Sequence, residues 1–148
     1  MSKLLKLKIV TPEKLILEEM VESVTIPTKE GEITILPNHV AIIAPLSSGD
    51  IVAFVNGEHL PMAVVGGFLE VKNNKEGTTE VAILADFAEH VGDITDEAIE
   101  KAKATSEELR KKALNNEIVD FEHFEGELER SLTRVKIADK WKNKKYRK

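Results

Sequence analysis

The side chains best suited to bind a metal or move a proton near neutral pH are the four histidines, His39, His59, His90 and His123. They are scattered along the chain without the spacing of a metal-ligand set. The absence of cysteine removes thiolate zinc sites, disulfides and cysteine nucleophiles together. Ser47 and Ser48 fall on a turn, but no base is marked as their partner. The paired acids Glu18-Glu19 and Glu107-Glu108 read as solvated faces. The run "VVGG" at Val64 to Gly67 lacks the lysine and the following helix of a phosphate loop, so a bulge or close strand packing is the reading it carries. No reaction is implied, and the chain is read as a non-enzyme. Two stretches remain that suit contact instead of catalysis: the acidic bend in "KEGEITILPNH", Lys29 to His39, and the basic tail "RVKIADKWKNKKYRK", Arg134 to Lys148.

Both stretches must be positioned by a framework, and the periodicity changes once along the chain. Residues 1–87 alternate apolar and polar side chains between frequent turn signals, which predicts about nine short antiparallel strands and a β-sandwich. Asn56-Gly57 between two apolar runs suits a two-residue hairpin turn, whose central positions need positive φ. From residue 88 the spacing becomes helical. Thr95 is placed to cap a first helix, with Asp96 and Glu97 favourable in its opening turn, and Asn115-Asn116 to end it. Its expected stripe is Ala98, Ile99, Ala102, Ser106, Leu109 and Ala113. A second helix from about Val119 to Trp141 carries Phe121, Phe124, Leu128, Leu132, Val135 and Ala138. Small residues facing large ones allow the two to pack as an antiparallel hairpin, giving an α+β chain with a sandwich at 1–87 and a helical part at 88–148.

Charge separates the same parts. Residues 1–88 hold 7 lysines against 12 acids, residues 89–133 hold 6 basic against 13 acidic groups, and the last fifteen hold 8 basic groups and one acid. This positive tip on a negative molecule suits an anionic surface. Trp141 and Tyr146 between lysines keep a nucleic-acid-binding tail on a free sandwich module as the alternative reading, although the acidic remainder would repel phosphate. No apolar run approaches the roughly 20 residues of a membrane-spanning helix, and the opening "MSKLLKLKIVTPEK" reads as a strand in place of a secretory signal.

The motifs "TPEK" at Thr11 to Lys14, "VTIPTKEGEITILPNH" at Val24 to His39, "LSSGDI" at Leu46 to Ile51, "VVGGFLEV" at Val64 to Val71 and "AILADFAEHVGDI" at Ala82 to Ile94 closely resemble the epsilon subunit of the F-type ATP synthase. "LERSLTRVKIA", Leu128 to Ala138, looks like that family's second helix. The resemblance implies a non-catalytic rotor subunit with a ten-strand sandwich that binds the gamma subunit and rests on the membrane-embedded c-ring. It assigns Glu30, Gly31 and Glu32, with His39 beside them, to the c-ring contact. The helical hairpin is implied to alternate between a compact form and an extended one that blocks hydrolytic rotation. Arg130, Arg134, Lys136 and Lys140 are then the cations drawn to the catalytic alpha/beta head or to gamma.

Some members of the family bind ATP between the helices. Here Glu89, Ile94, Arg130 and Arg134 stand at positions resembling the contacts, but Thr95 and Ala98 replace an aspartate and an arginine. The loss of two polar anchors leaves ATP as a weak regulatory ligand at most, with no other cofactor expected. The resemblance also implies a monomer when isolated, no nucleic-acid partner, and a peripheral place on the cytoplasmic face of a bacterial membrane or the stromal face of a thylakoid. The lack of a recognisable transit peptide favours these two over mitochondrial import.

Overall fold

A computed structural model describes residues 3–116 and 121–147. Ten strands come first: β1 (Leu5–Val10), β2 (Leu15–Val21), β3 (Ser23–Thr28), β4 (Gly31–Ile35), β5 (Ile42–Pro45), β6 (Gly49–Val55), β7 (Glu58–Val65), β8 (Phe68–Asn73), β9 (Thr79–Leu84) and β10 (Phe87–His90). They form two five-stranded sheets, ordered β2-β1-β9-β8-β5 and β10-β7-β6-β3-β4. Only β1 and β9 run parallel among the paired strands; the remaining pairs are antiparallel. Two helices come after a short 3-10 turn: α1 (Asp96–Leu114) and α2 (Phe121–Trp141).

The period-two pattern forms these strands because alternate residues enter the space between the sheets. Leu5, Leu7 and Ile9 of β1 have no exposed surface, and neither do Val24 and Ile26 of β3 or Ile51 and Ala53 of β6. Those residues meet Met62, Val64, Leu69, Val71, Val81 and Ile83 in one apolar cluster. At the β6–β7 turn, Asn56 and Gly57 take φ of 53° and 77°, the paired left-handed geometry expected of Asn-Gly.

Strand β10 lies outside the nine strands that the alternation predicts. "FAEH" has only one fully buried side chain, Ala88, and its place is set by pairing with β7, Phe87 opposite Val65 through His90 opposite Met62. Four residues are too few for periodicity to mark a strand whose partner lies twenty-odd positions away.

Helix α1 begins as expected, with the Thr95 hydroxyl accepting from the Ala98 N–H at 3.0 Å. It ends at Leu114, with Asn116 at φ 54°. The expected stripe holds at Ala102, Ser106 and Leu109, which are buried, whereas Ala113 is exposed. On α2 the expected stripe is only half the account. Phe124, Leu128, Val135 and Ala138 are half-buried and Leu132 is 42% exposed, whereas the buried residues are Ser131, Thr133, Ile137 and Trp141. The reason is geometric: α2 has two neighbours, so Thr133, Ile137 and Trp141, spaced by four, face the sandwich on a side distinct from the one facing α1. Val119 and the side chain of Phe121 lie outside the described residues.

Candidate functional site

The seam between α2 and the outer face of the second sheet is built on one row of the strand register. Glu89 of β10 stands opposite Ala63 of β7, which stands opposite Asp50 of β6. An alanine flanked by two acids leaves a shallow apolar seat with a carboxylate on each side. Ile137 fills the seat in a cluster of Ala63, Val91, Ile137 and Trp141. Three residues on either side along the helix, the cations reach the acids. Arg134 donates from Nε and Nη2 to the two Glu89 oxygens at 2.8 and 3.0 Å. Lys140 Nζ and Trp141 Nε1 both donate to Asp50 Oδ2 at 2.8 Å. Asp50 is 7% exposed, so its charge depends on those two donors for compensation.

Beyond the helix the tail folds back onto the same face. Arg147 donates to both oxygens of Glu19 at 2.7 and 2.5 Å, and its own N–H donates to the His59 carbonyl at 2.8 Å. Glu19 belongs to β2 and His59 to β7, so Arg147 ties the tail to both sheets at once. The Arg147 hydrogen bond holds the Glu19 carboxyl below the usual carboxylate range against the opposing effect of burial. Rings continue the contact: Phe54 to His59 at 5.3 Å, His59 to Trp141 at 6.0 Å, and Trp141 to Tyr146 at 5.8 Å, edge-on. Lys144 caps the Trp141 ring at 5.3 Å.

These contacts correct two expectations. Glu19 is not a solvated acid, because the partner that neutralises it arrives from 128 residues away. Trp141 is 5% exposed and cannot stack on a nucleic-acid base while it is packed under Tyr146 and beside His59.

Of the four cations expected to seek a distant acidic partner, Arg134 and Lys140 are engaged on the chain's own sandwich, and Arg130 lies over the Phe87 ring at 5.6 Å. Lys136 is exposed. The residues matched to nucleotide binding are divided. Glu89 and Arg130 share one small surface cleft and Arg134 pairs with Glu89. Ile94 lines a different cleft of about 450 Å³ between the ends of the helices, together with Asp96, Glu100, Lys103, Asp139 and Tyr146.

At the acidic bend, the Thr28 hydroxyl donates to the Gly31 carbonyl at 2.5 Å and accepts from the Glu30 N–H at 3.2 Å. Gly31 has φ 115°, a conformation that glycine supplies without strain. The tight turn leaves Glu30 and Glu32 pointing into solvent. His39 is not beside them: β4 runs away from the bend for its whole length before reaching the turn that holds His39. There the His39 carbonyl accepts from Asn73 Nδ2 at 2.9 Å, and Nδ1 lies 2.7 Å from the Val40 carbonyl.

A feature that periodicity does not single out lies on the outer face of the first sheet. Phe68, Leu84, Val10 and Leu15 stand opposite one another across β8, β9, β1 and β2. Phe68 is 58% exposed, Leu84 56% and Leu15 51%, with Val40 and Ile43 exposed near the adjoining edge strand β5. Alternation alone assigns these positions to solvent, so only the register shows that they form a continuous band. Among the described residues nothing covers it, whereas α2 covers the other sheet.

A ten-strand sandwich, a docked helical pair and a bare apolar face define a binding protein. A family model described as "ATP synthase, Delta/Epsilon chain, beta-sandwich domain" matches residues 4–91. An ATP synthase epsilon chain of Nitratidesulfovibrio vulgaris (strain DP4) is 38% identical over 137 residues, covering 93% of this chain and 97% of that protein. The ATP synthase epsilon chain of Syntrophobacter fumaroxidans is 35% identical over 141 residues, covering 95% and 99%. The chain belongs to the ATP synthase delta/epsilon chain family. Its fold is shared with a chain in the cryo-EM structure of the Euglena gracilis mitochondrial ATP synthase, OSCP/F1/c-ring, at TM-score 0.62 and 24% identity, covering 94% of this chain and 79% of that one.

Proposed function

We propose that this chain is a non-catalytic central-stalk subunit of a proton-translocating F-type ATP synthase, coupling catalysis to rotation of the c-ring and restraining ATP hydrolysis through its helices. Family membership and the two-part architecture support this reading. The observation that carries it is the bare apolar band of Leu15, Phe68 and Leu84, with exposed Ile43 on the same face of the adjoining strand β5. A band of this kind on a chain of net charge −5 calls for a protein partner, and gamma is the partner the reading assigns. Leu84→Asp places a charge at the centre of the band without touching the interior. It is expected to abolish co-purification with gamma while leaving the melting midpoint within about 2 °C. Retained gamma binding would refute the docking face.

The exposed bend at Glu30, Gly31 and Glu32 is the proposed c-ring contact, and His39, held at the far end of β4 by Asn73, lies apart from it. Removing one exposed carboxylate, Glu32→Ala, is expected to leave the sandwich as stable as before and to lower proton-coupled ATP synthesis by roughly twofold to fivefold. Unchanged coupling in the assembled complex would remove Glu32 from the contact.

Arg134 and Lys140 then serve two exclusive states, bound to Glu89 and Asp50 in the compact form and released toward acidic groups of the catalytic head in the extended one. Arg130 and Lys136 join them only in the second. ATP is a weak ligand in this reading: the cleft at Ile94 sets Asp96, Glu100 and Asp139 against Lys103 and Lys142, a lining that is net acidic and opposes a triphosphate. The working division is residues 1–87 and 88–148, with β10 as the strand that joins them. No described helix is long and apolar enough to cross a membrane. The subunit is placed peripherally, on the cytoplasmic face of a bacterial membrane or the stromal face of a thylakoid.

A further inference from the structure

We propose that the segment from Trp141 to Arg147 is a built-in clasp that sets the fraction of chains whose helical hairpin lies docked on the sandwich. The inference deepens the rotor reading by naming what regulates the hairpin, and it rests on that reading only for its consequence, not for its test.

The contacts that hold the hairpin are unevenly placed. Helix α1 packs on α2 and makes no substantial contact with any strand, so docking rests on α2 and the tail beyond it. Near the middle of α2 the Ser48 hydroxyl donates to Glu129, between exposed side chains at the sandwich end that carries the acidic bend. The partly buried ties begin at Arg134 and become denser toward the C-terminus, through Ile137, Lys140 and Trp141. The chain then reverses, with Lys144 N–H donating to the Trp141 carbonyl at 3.1 Å, which lays Tyr146 on Trp141 and carries Arg147 across to Glu19.

That last pair closes the set. A bidentate guanidinium–carboxylate contact resists being opened one bond at a time. With the Arg147 N–H bound to His59, both the backbone and the side chain of one residue are fixed to different sheets. Tyr146 packs edge-on against Trp141, whose indole N–H satisfies the buried Asp50, and Arg147 is tied to His59, the ring on the other side of Trp141. Opening the clasp admits water to Asp50, and the Lys140 and Trp141 donors then compete with solvent. Release at the tail therefore weakens the seat at Ala63, which is how a few terminal residues can govern a helical pair of which one member has no substantial hold on the strands.

The chain contains no cysteine, so two introduced cysteines report distance without background. Exposed Lys75→Cys on the sandwich and Lys111→Cys on α1 carry spin labels in the isolated full-length chain. The parent is expected to show one dominant separation. Arg147→Ala, and separately a chain ending at Trp141, are expected to raise the ratio of undocked to docked molecules at least about tenfold, while the sandwich melts as before. Glu19→Arg should open the hairpin similarly, and Glu19→Arg with Arg147→Glu should restore the parent distribution. A chain ending at Trp141 with an unchanged distance distribution would overturn the clasp, and a charge swap that fails to restore docking would overturn the ionic part of it. No gamma subunit or c-ring enters this measurement, so its failure leaves the rotor reading intact, while loss of gamma binding by the apolar-band variant leaves the clasp intact.

Discussion

A chain that ends at Asn115, carried in an assembled complex, is expected to raise basal ATP hydrolysis at least about fivefold over the full-length chain, the lower end of ordinary coupling between sites. Truncation there removes α2 and the tail entire, and with them Arg130, Arg134, Lys136 and Lys140, the cations that the extended form would offer to the catalytic head. Helix α1 remains but loses its partner. Its buried face is only Ala102, Ser106 and Leu109, too little apolar area to hold an isolated helix in place. The sandwich should survive, because the members of its core cluster lie between Leu5 and Ala88 and none belongs to a helix. Gamma should still co-purify, since the Leu15–Phe68–Leu84 band is on the sheet that α2 does not cover. Steady-state hydrolysis by the purified complex checks this, and an unchanged rate with gamma retained would exclude the helices as the restraint.

Gly67→Ala is expected to destabilise the sandwich by roughly 4 kcal/mol or more and to lower the melting midpoint by roughly 10 °C. Gly67 has φ 106°, and a Cβ built there would lie 1.9 Å from the Leu84 carbonyl oxygen and 2.8 Å from the Ala85 Cα. Both obstacles are backbone: Leu84 ends β9, which pairs with β1 and β8, and the Ala85 N–H donates to the Val10 carbonyl at 2.9 Å, so neither can retreat without breaking register. The Gly67 carbonyl also accepts from the Leu46 N–H at 2.9 Å, tying a third segment to the same point. Gly126→Ala makes the natural comparison. Nothing lies within 4 Å of a Cβ at that position in α2, and the substitution should stabilise the helix by about 1 kcal/mol. Thermal unfolding of the two variants should move in opposite directions. A Gly67→Ala protein as stable as the parent would mean that the strands are not paired as described.

Much of the framework was legible because it depends on local chemistry. Asn56-Gly57 announces its turn through the φ values it tolerates, Thr95 announces its cap through a hydroxyl three residues before a free N–H, and Leu5, Leu7 and Ile9 announce a strand by skipping one position. The "VVGG" run was readable as close strand packing because paired glycines between apolar runs give room for a neighbour, and they form the β7–β8 connection, with Gly67 against the Leu84 carbonyl. Strand β10 was not legible: four residues with one buried side chain carry no period, and pairing with β7 decides their conformation.

The candidate sites divide in the same way. The outward set of Glu30 and Glu32 arises from a turn that Thr28 and Gly31 build within four residues. The apolar band has no such local origin, since Phe68, Leu84, Val10 and Leu15 become neighbours only through register, and each alone looks like an ordinary surface residue.

The amino-acid order by itself determined the strand-to-helix change, the turns, the caps and the positive tip, because each is an interaction among residues within a turn or two of one another. Tertiary structure decided where that positive tip goes. Ala63 lies between Glu89 and Asp50 only when three strands are in register, and Glu19 meets Arg147 only when the last residues fold back across both sheets. A cation's charge is written in its own residue, but the acid that takes it up is chosen by the packing of chain segments up to 128 positions apart.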